Sequence, residues 1–469
     1  MDYVFYDFET TGFNSNFDQP IQLAAILTDE NFNTKDVINE KCRLKDGVIA
    51  NPGALAAIKA DISKLSNAQS FYEMMKKFYD KFSEWSPAIF IGYNSISFDE
   101  RFLRSSFYQS LHEPYLTNTK INGDIKNSRA DIYKIVEVIN CLKLKTIKIP
   151  CDKNKKSILK LESVAKENNI EHQTAHDALS DVEATLGIAK LIKQNNEELW
   201  QSCLLSRSPE IIQQELINKN NFLYAILSRD KLVPISLISA NPNNPKELAF
   251  FNLNHDPKEY ANAKTSEIKT LIKEKIIYTV KTNNFPILLR DDGLIDQTTV
   301  KSDKDGYKRK AMQIKELDNF KLNTNQALVD KQDDYQVDQS SDYVEEQLFS
   351  AFTPNADIKR KKLFHITEDK KVKRDIIEQL EDGRAKEIAN RILFSDYPDE
   401  LSENKKNKMK NSIASKVFCN DDVPWCTLDK AKKELKKLHD SVELKTDKDY
   451  LTEIDNYLQL EEKKYKSYL

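Results

Sequence analysis

Alternating strand and helix patterns over residues 1–195 predict an α/β layer fold, followed by a smaller β-rich module and a helical one. Three observations carry the prediction. An apolar strand, Y-V-F-Y-D at residues 3–7, is followed across a polar turn at 12–20 by a second, I-Q-L-A-A-I-L at 21–27. Phe71, Met74, Met75, Phe78 and Phe82 recur at helical spacing over residues 70–82, ahead of the short buried strand A-I-F-I-G-Y at 88–93. Beyond residue 340 nearly every window reads as helix.

The remaining elements follow in order. Between residues 196 and 340, K-L-V-P-I-S-L-I and E-L-A-F-F-N-L read as strands around the turn N-P-N-N-P at 241–245. The amphipathic helix T-S-E-I-K-T-L-I-K-E-K-I comes next, then strands at I-Y-T-V-K and F-P-I-L-L. The polar stretch 330–342 reads as the join to a helical third domain. There R-D-I-I-E-Q-L is expected to end near Gly383 as a helix C-terminus, and Leu451, Ile454, Tyr457, Leu458 and Tyr465 to line one face of the last helix. The expected boundaries are 1–195, 196–340 and 341–469.

Composition narrows the class. The chain has 469 residues, 31% charged and 40% hydrophobic, with only 9 Gly and 14 Pro, which argues against long disordered or collagen-like regions. A net charge of -3 announces no global nucleic-acid surface, so any such surface must be a local patch. Lysine-rich runs such as K-R-K-K at 359–362 read first as solvated helix faces. The six cysteines form no C-x-x-C pair and no zinc spacing, which implies a reducing compartment. With no apolar signal and no run near the length of a membrane helix, a cytoplasmic location is the default expectation.

The chemistry begins with two acids. Side chains alternate along a strand, so Asp7 and Glu9 share a side of the sheet. Two carboxylates crowded at a sheet end repel and lose solvation unless a cation neutralises them, though a D-x-E alone is a weak signal. Asp99, in I-G-Y-N-S-I-S-F-D, sits where a strand has ended and a helix begins; capping that helix is the simpler role for it. Asn94 could orient the turn or hold the acid. Asp181 lies inside the helix that A-H-D-A-L-S-D opens. His176, five positions earlier, would point about 140° away if both residues were helical, so it is expected on a non-helical lead-in, swung toward Asp181. A zinc site built on His172 and His176 lacks a third ligand of suitable spacing. Together, four acids and one histidine suit Mg²⁺, with Mn²⁺ as a substitute, and in-line phosphodiester hydrolysis with two ions. A neutral histidine is the natural base for the attacking water.

D-F-E-T at 7–10, N-S-I-S-F-D at 94–99 and A-H-D-A-L-S-D at 175–181 resemble the three motifs of the DEDDh superfamily of 3′-to-5′ exonucleases. D-Q-P-I-Q, N-S-R-A-D and N-N-I-E-H-Q-T-A-H-D-A, with the length and layout, resemble more narrowly the bacterial exodeoxyribonuclease I family. The resemblance implies a ribonuclease H-like exonuclease domain with a mixed sheet flanked by helices, then an SH3-like β-rich domain and an all-helical C-terminal domain.

It further implies a monomeric, processive hydrolase that acts in DNA repair and recombination. Such an enzyme removes 5′-mononucleotides from the 3′ end of single-stranded DNA and binds the C-terminal tail of single-stranded DNA-binding protein. Carried over by position, Asp7, Glu9 and Asp181 would ligand two metal ions, Asp99 would complete the acidic set and His176 would be the general base. Glu9 would also meet the substrate. Lys160 stands where the family has a substrate-touching arginine and loses its bidentate geometry. Arg104, Tyr115 and Arg129 are candidates for lining the strand's path, or else a salt bridge and a packed ring. Thr10 to Gly12 would cradle the terminal nucleotide, with Gly12 allowing close approach. A short-RNA trimming nuclease of the same superfamily would usually stop near 200 residues. A catalytically silent scaffold would usually have lost one of the five site residues.

Overall fold

In this computed structural model, residues 1–118, 126–172, 176–228, 231–296, 303–335, 341–441 and 445–469 are described. A mixed five-stranded sheet with the order β3-β2-β1-β4-β5 forms the first layer. Strand β1 (Asp2–Thr10) pairs antiparallel with β2 (Pro20–Thr28), which pairs antiparallel with β3 (Thr34–Lys41). On its other side β1 runs parallel to β4 (Ala88–Gly92), and β4 parallel to β5 (Ser128–Asp131).

Alternation along β1 fills two cores. Val4, Tyr6 and Phe8 pack with Met74, Phe78 and Phe82 of α1 (Phe71–Glu84). Tyr3 and Phe5 face the other way, into the core that holds Val182 and Ala189 of α2 (Ala178–Asn195). Asp7 and Glu9 share the parity of Tyr3 and Phe5 and so belong to the face that α2 covers. The edge strand β3 escapes sequence reading because T-K-D-V-I-N-E-K has exposed charges and no apolar run.

The second sheet has the order β10-β6-β7-β8-β9 and is antiparallel throughout. It comprises β6 (Leu223–Ser228), β7 (Lys231–Asn241), β8 (Asn244–Asn252), β9 (Ile277–Lys281) and β10 (Leu288–Leu289). Strand β10 is shorter than F-P-I-L-L predicts, because Phe285 takes a left-handed φ of 48° and Pro286 has no N–H to give. Helix α3 (Asp318–Tyr335) lays Phe320, Ala327 and Leu328 into the same core as Phe251. The expected join at 330–342 is therefore helical as far as Tyr335; residues 336–340 lie outside the described residues.

Beyond residue 341 the described elements are all helices. Here Gly383 does not end a helix. It opens one, Gly383–Asp396, whose first turn is capped by Asp382, while the preceding helix stops at Gln379. The last helix, Lys445–Lys466, does bury Leu451, Ile454, Tyr457, Leu458 and Tyr465, against Ile49 and Leu55 of the first region. The Tyr465 hydroxyl accepts the Gly47 N–H at 2.9 Å, so the end of the chain clasps its beginning. Cys42 and Cys203 are buried free thiols. Among the described residues no helix is long and apolar enough to cross a membrane.

Candidate active site

The parallel pairing of β1 with β4 ends at Phe5 and Ile91, yet β1 continues beside β2 to Thr10. Asp7 and Glu9 thus stand past the carboxyl end of β4, in the crevice where open α/β sheets place their ligands. After β4 the chain folds back tightly: a Cβ on Gly92 would lie 2.6 Å from Ser95 Cβ and 3.0 Å from the Tyr6 carbonyl oxygen. Asp131, at the end of β5, holds that turn. Its carboxylate accepts the N–H groups of Asn94 at 2.8 Å and Ile96 at 3.1 Å, and Asn94 adopts a left-handed φ of 64°. Asn94 thus helps to shape the turn through its backbone. Asp99 follows as the first residue of the helix Asp99–Gln109, with its carboxyl hydrogen-bonded by the Phe8 amide.

Asp181 comes from the first turn of α2. Asp177 caps that helix by accepting Ser180 N–H, and is itself fixed by Gln22 at 3.0 Å and Lys41 at 3.6 Å. His176 has a left-handed φ of 64° and lies outside the helix. Its imidazole is 45% exposed and reaches Glu162 Oε1 at 3.3 Å. Glu9, His176 and Asp181 each offer a ligand atom, and these atoms lie within 4.8 Å of one another.

The electrostatics describe a site with negative charge in excess. Burial pushes the Glu9 carboxyl up to about 8, and Asp181, Asp177 and Asp99 push in the same direction against Lys41. Asp7 is raised well above the carboxylate range by burial, then by Asp99, Asp181 and Glu9. Asp99 is raised by burial and, among its neighbours, by Asp131. Such a set is relieved by a divalent cation bound through the carboxylate oxygens.

Local packing accounts for several of the other candidate residues. The absent Cβ of Gly12 makes room for Asp18, whose carboxylate oxygen would be 2.5 Å away, so the glycine serves the turn before it serves any nucleotide. Arg129 is buried, with one guanidinium nitrogen on Glu100 at 2.7 Å and another on the Asn283 carbonyl at 2.6 Å, and so joins β5 to the helix Asp99–Gln109 and to the turn after β9. Arg104 bonds Glu100 at 3.1 Å and lies 5.6 Å over the ring of Tyr115, which is 36% exposed. Lys160 is exposed at the N-terminus of the helix Leu161–Glu167, the helix that carries Glu162.

Sequence reasoning passed over three features. Glu162 meets His176, and His172 bonds Asp181 through its Nε2. Phe13, 89% exposed, stands beside Phe98 at 6.3 Å. Only Phe13 left a trace, as a large apolar residue in a polar turn.

Residues 4–189 match the family described as Exonuclease, RNase_T. Exodeoxyribonuclease I of Buchnera aphidicola subsp. Baizongia pistaciae is 31% identical over 307 residues, covering 62% of each chain. The enzyme named exodeoxyribonuclease I of Escherichia coli is 31% identical over 214 residues, 44% of this chain and 43% of its own. The chain spans about half the length of the curated relatives it matches. Similarity of fold extends further. The exonuclease I structure from Methylocaldum szegediense aligns with a TM-score of 0.82 over 98% of this chain and 99% of its own, at 21% identity. That of Escherichia coli with a dA16 oligonucleotide gives 0.80 over 99% of both at 19% identity.

Proposed function

We propose that this chain, with an N-terminal region of exonuclease type and the fold of exonuclease I from end to end, is a 3′-to-5′ exonuclease. It degrades single-stranded DNA to 5′-mononucleotides in DNA repair and recombination. The observation that carries the reading is the convergence of Asp7, Glu9, Asp99 and Asp181 with His176 at one crevice, on a chain that is also about 31% identical to exodeoxyribonucleases I. Solved relatives hold dA16 and dT13 oligonucleotides, and one combines SSB with exonuclease I. By the same reading this monomeric chain takes single-stranded DNA as substrate and the tail of single-stranded DNA-binding protein as partner.

Asp7, Glu9 and Asp181 would hold two Mg²⁺ ions, with Asp99 completing the set, and the bound ions would supply positive charge for the scissile phosphate and the attacking water. The chain's own groups do the rest. His176, on its exposed lead-in, takes the proton from water at its imidazole nitrogen, and Glu162 holds the ring and steadies the imidazolium that forms. Exposed rings at Phe13, Tyr115 and Phe349 offer stacking faces that accept any base. The three regions, divided near residues 195 and 340, would enclose the strand and favour processive digestion.

The test is a competition among matched single-stranded DNA, duplex DNA and RNA in Mg²⁺. Preferential loss of single-stranded DNA, reduced at least 100-fold by His176→Ala, is expected. Equal digestion of RNA, or undiminished activity in the variant, would overturn the reading.

A further inference from the structure

His172 is nine residues from Asp181 and outside the helix that carries it, yet its Nε2 donates to Asp181 Oδ1. Both groups are sheltered, with side-chain exposures of 7% and 15%. The two histidines of E-H-Q-T-A-H therefore occupy different settings. His176 is half exposed and leans on Glu162, while His172 is enclosed and leans on a metal-ligating acid. Asp181 has two oxygens, and engagement of Oδ1 leaves Oδ2 for a cation shared with Glu9.

We propose that His172 is a positioning residue that fixes the carboxylate plane of Asp181 and so sets the affinity of the site for its divalent ions. The inference rests on the metal-dependent reading above. A carboxylate at the start of a helix can rotate about two side-chain bonds, and the neighbouring Asp7 and Glu9 repel it in any orientation. A fixed donor on one oxygen removes that freedom before the ion arrives. Partners of this kind, one shell outside the ligands, typically alter metal affinity or activity about 10- to 100-fold when removed.

The experiment is calorimetric titration of the full chain with Mn²⁺, without DNA, for wild type, His172→Ala and His172→Gln, followed by kcat and KM across a range of Mn²⁺. His172→Ala should bind Mn²⁺ about 10- to 100-fold more weakly. It should lose kcat at low Mn²⁺, recover it in excess Mn²⁺, and keep its KM for DNA. His172→Gln, whose amide can donate to the same oxygen, should recover most of the affinity and serves as the folded control. Mn²⁺ affinity within twofold of wild type in both variants would overturn the proposal. So would a kcat loss in His172→Ala that excess Mn²⁺ does not repair, since His172 would then act on the reaction itself. A wild-type chain that takes up no Mn²⁺ would overturn the metal reading and, with it, this role.

Discussion

Glu9 shows how a single side chain records the demand for a cation. Its folded value near 8 lies above the ordinary 4.5, so between these limits the folded chain holds a proton that the unfolded chain releases. The contribution to stability is therefore complete below about pH 4.5 and is lost as pH rises through 8. Metal-free protein is expected to melt at progressively lower temperature as pH rises from 6 to 8.5. Glu9→Gln should flatten that decline, and Mn²⁺ should reverse it in wild type; scanning calorimetry at several pH values checks both. The acids were legible because strand alternation is a strict rule, and Asp7 and Glu9 obey it. His172 and Glu162 were not. Their contacts depend on His172 and His176, which both lie outside any helix, and on one turn of the helix Leu161–Glu167, which no periodicity encodes.

Behind the site, the helix Asp99–Gln109 is anchored through Glu100, which is 1% exposed. This carboxylate accepts from Arg129 at 2.7 Å, Arg104 at 3.1 Å, the Tyr6 hydroxyl at 3.0 Å and Thr117 at 3.2 Å. Burial opposes its charge, yet Arg129 and Arg104 outweigh it and hold the carboxyl below its usual range. Glu100→Ala would leave Arg129 buried without its anion, at a cost of about 3–5 kcal/mol. Denaturant unfolding measures that loss, and the neighbouring Asp99 makes a fall in activity the expected companion. At this scale the apolar patterns of β1, β2, α1 and the last helix were readable in the sequence. Gly383 was misread because glycine is compatible with either helix end, and Asp382, its neighbour, is what decides.

The helical region closes over the first sheet through contacts that join distant parts of the chain, among them Arg43 with Asp396 at 3.2 Å and Asn51 with Glu434 at 2.5 Å. Two imidazoles meet in that interface. His112 and His365 stack with ring centroids 3.8 Å apart, and Tyr72 bonds His365 Nδ1 at 3.0 Å. Burial pushes His365 down to about 4, opposed by its bond to the Leu111 carbonyl and reinforced by Lys373, Lys361 and Lys76. Between pH 6.5 and 4 the unfolded chain gains a proton that the folded one refuses, so stability falls as pH falls across that window. The loss is expected to be about 3 kcal/mol, and His365→Phe should remove much of it in thermal melts between pH 7 and 4. None of this was visible in sequence, because residues 112 and 365 meet only once the third region has folded back. The central claim concerns the crevice that holds Asp7, Glu9, Asp181 and His176. It is tested most directly by incubating 3′-labelled single-stranded DNA with the full chain in Mg²⁺ and analysing the earliest product. Labelled 5′-mononucleotide, absent in chelator and with Asp181→Asn, is the result expected; release of labelled oligonucleotides, or of mononucleotide by the Asp181→Asn variant at the wild-type rate, would contradict it.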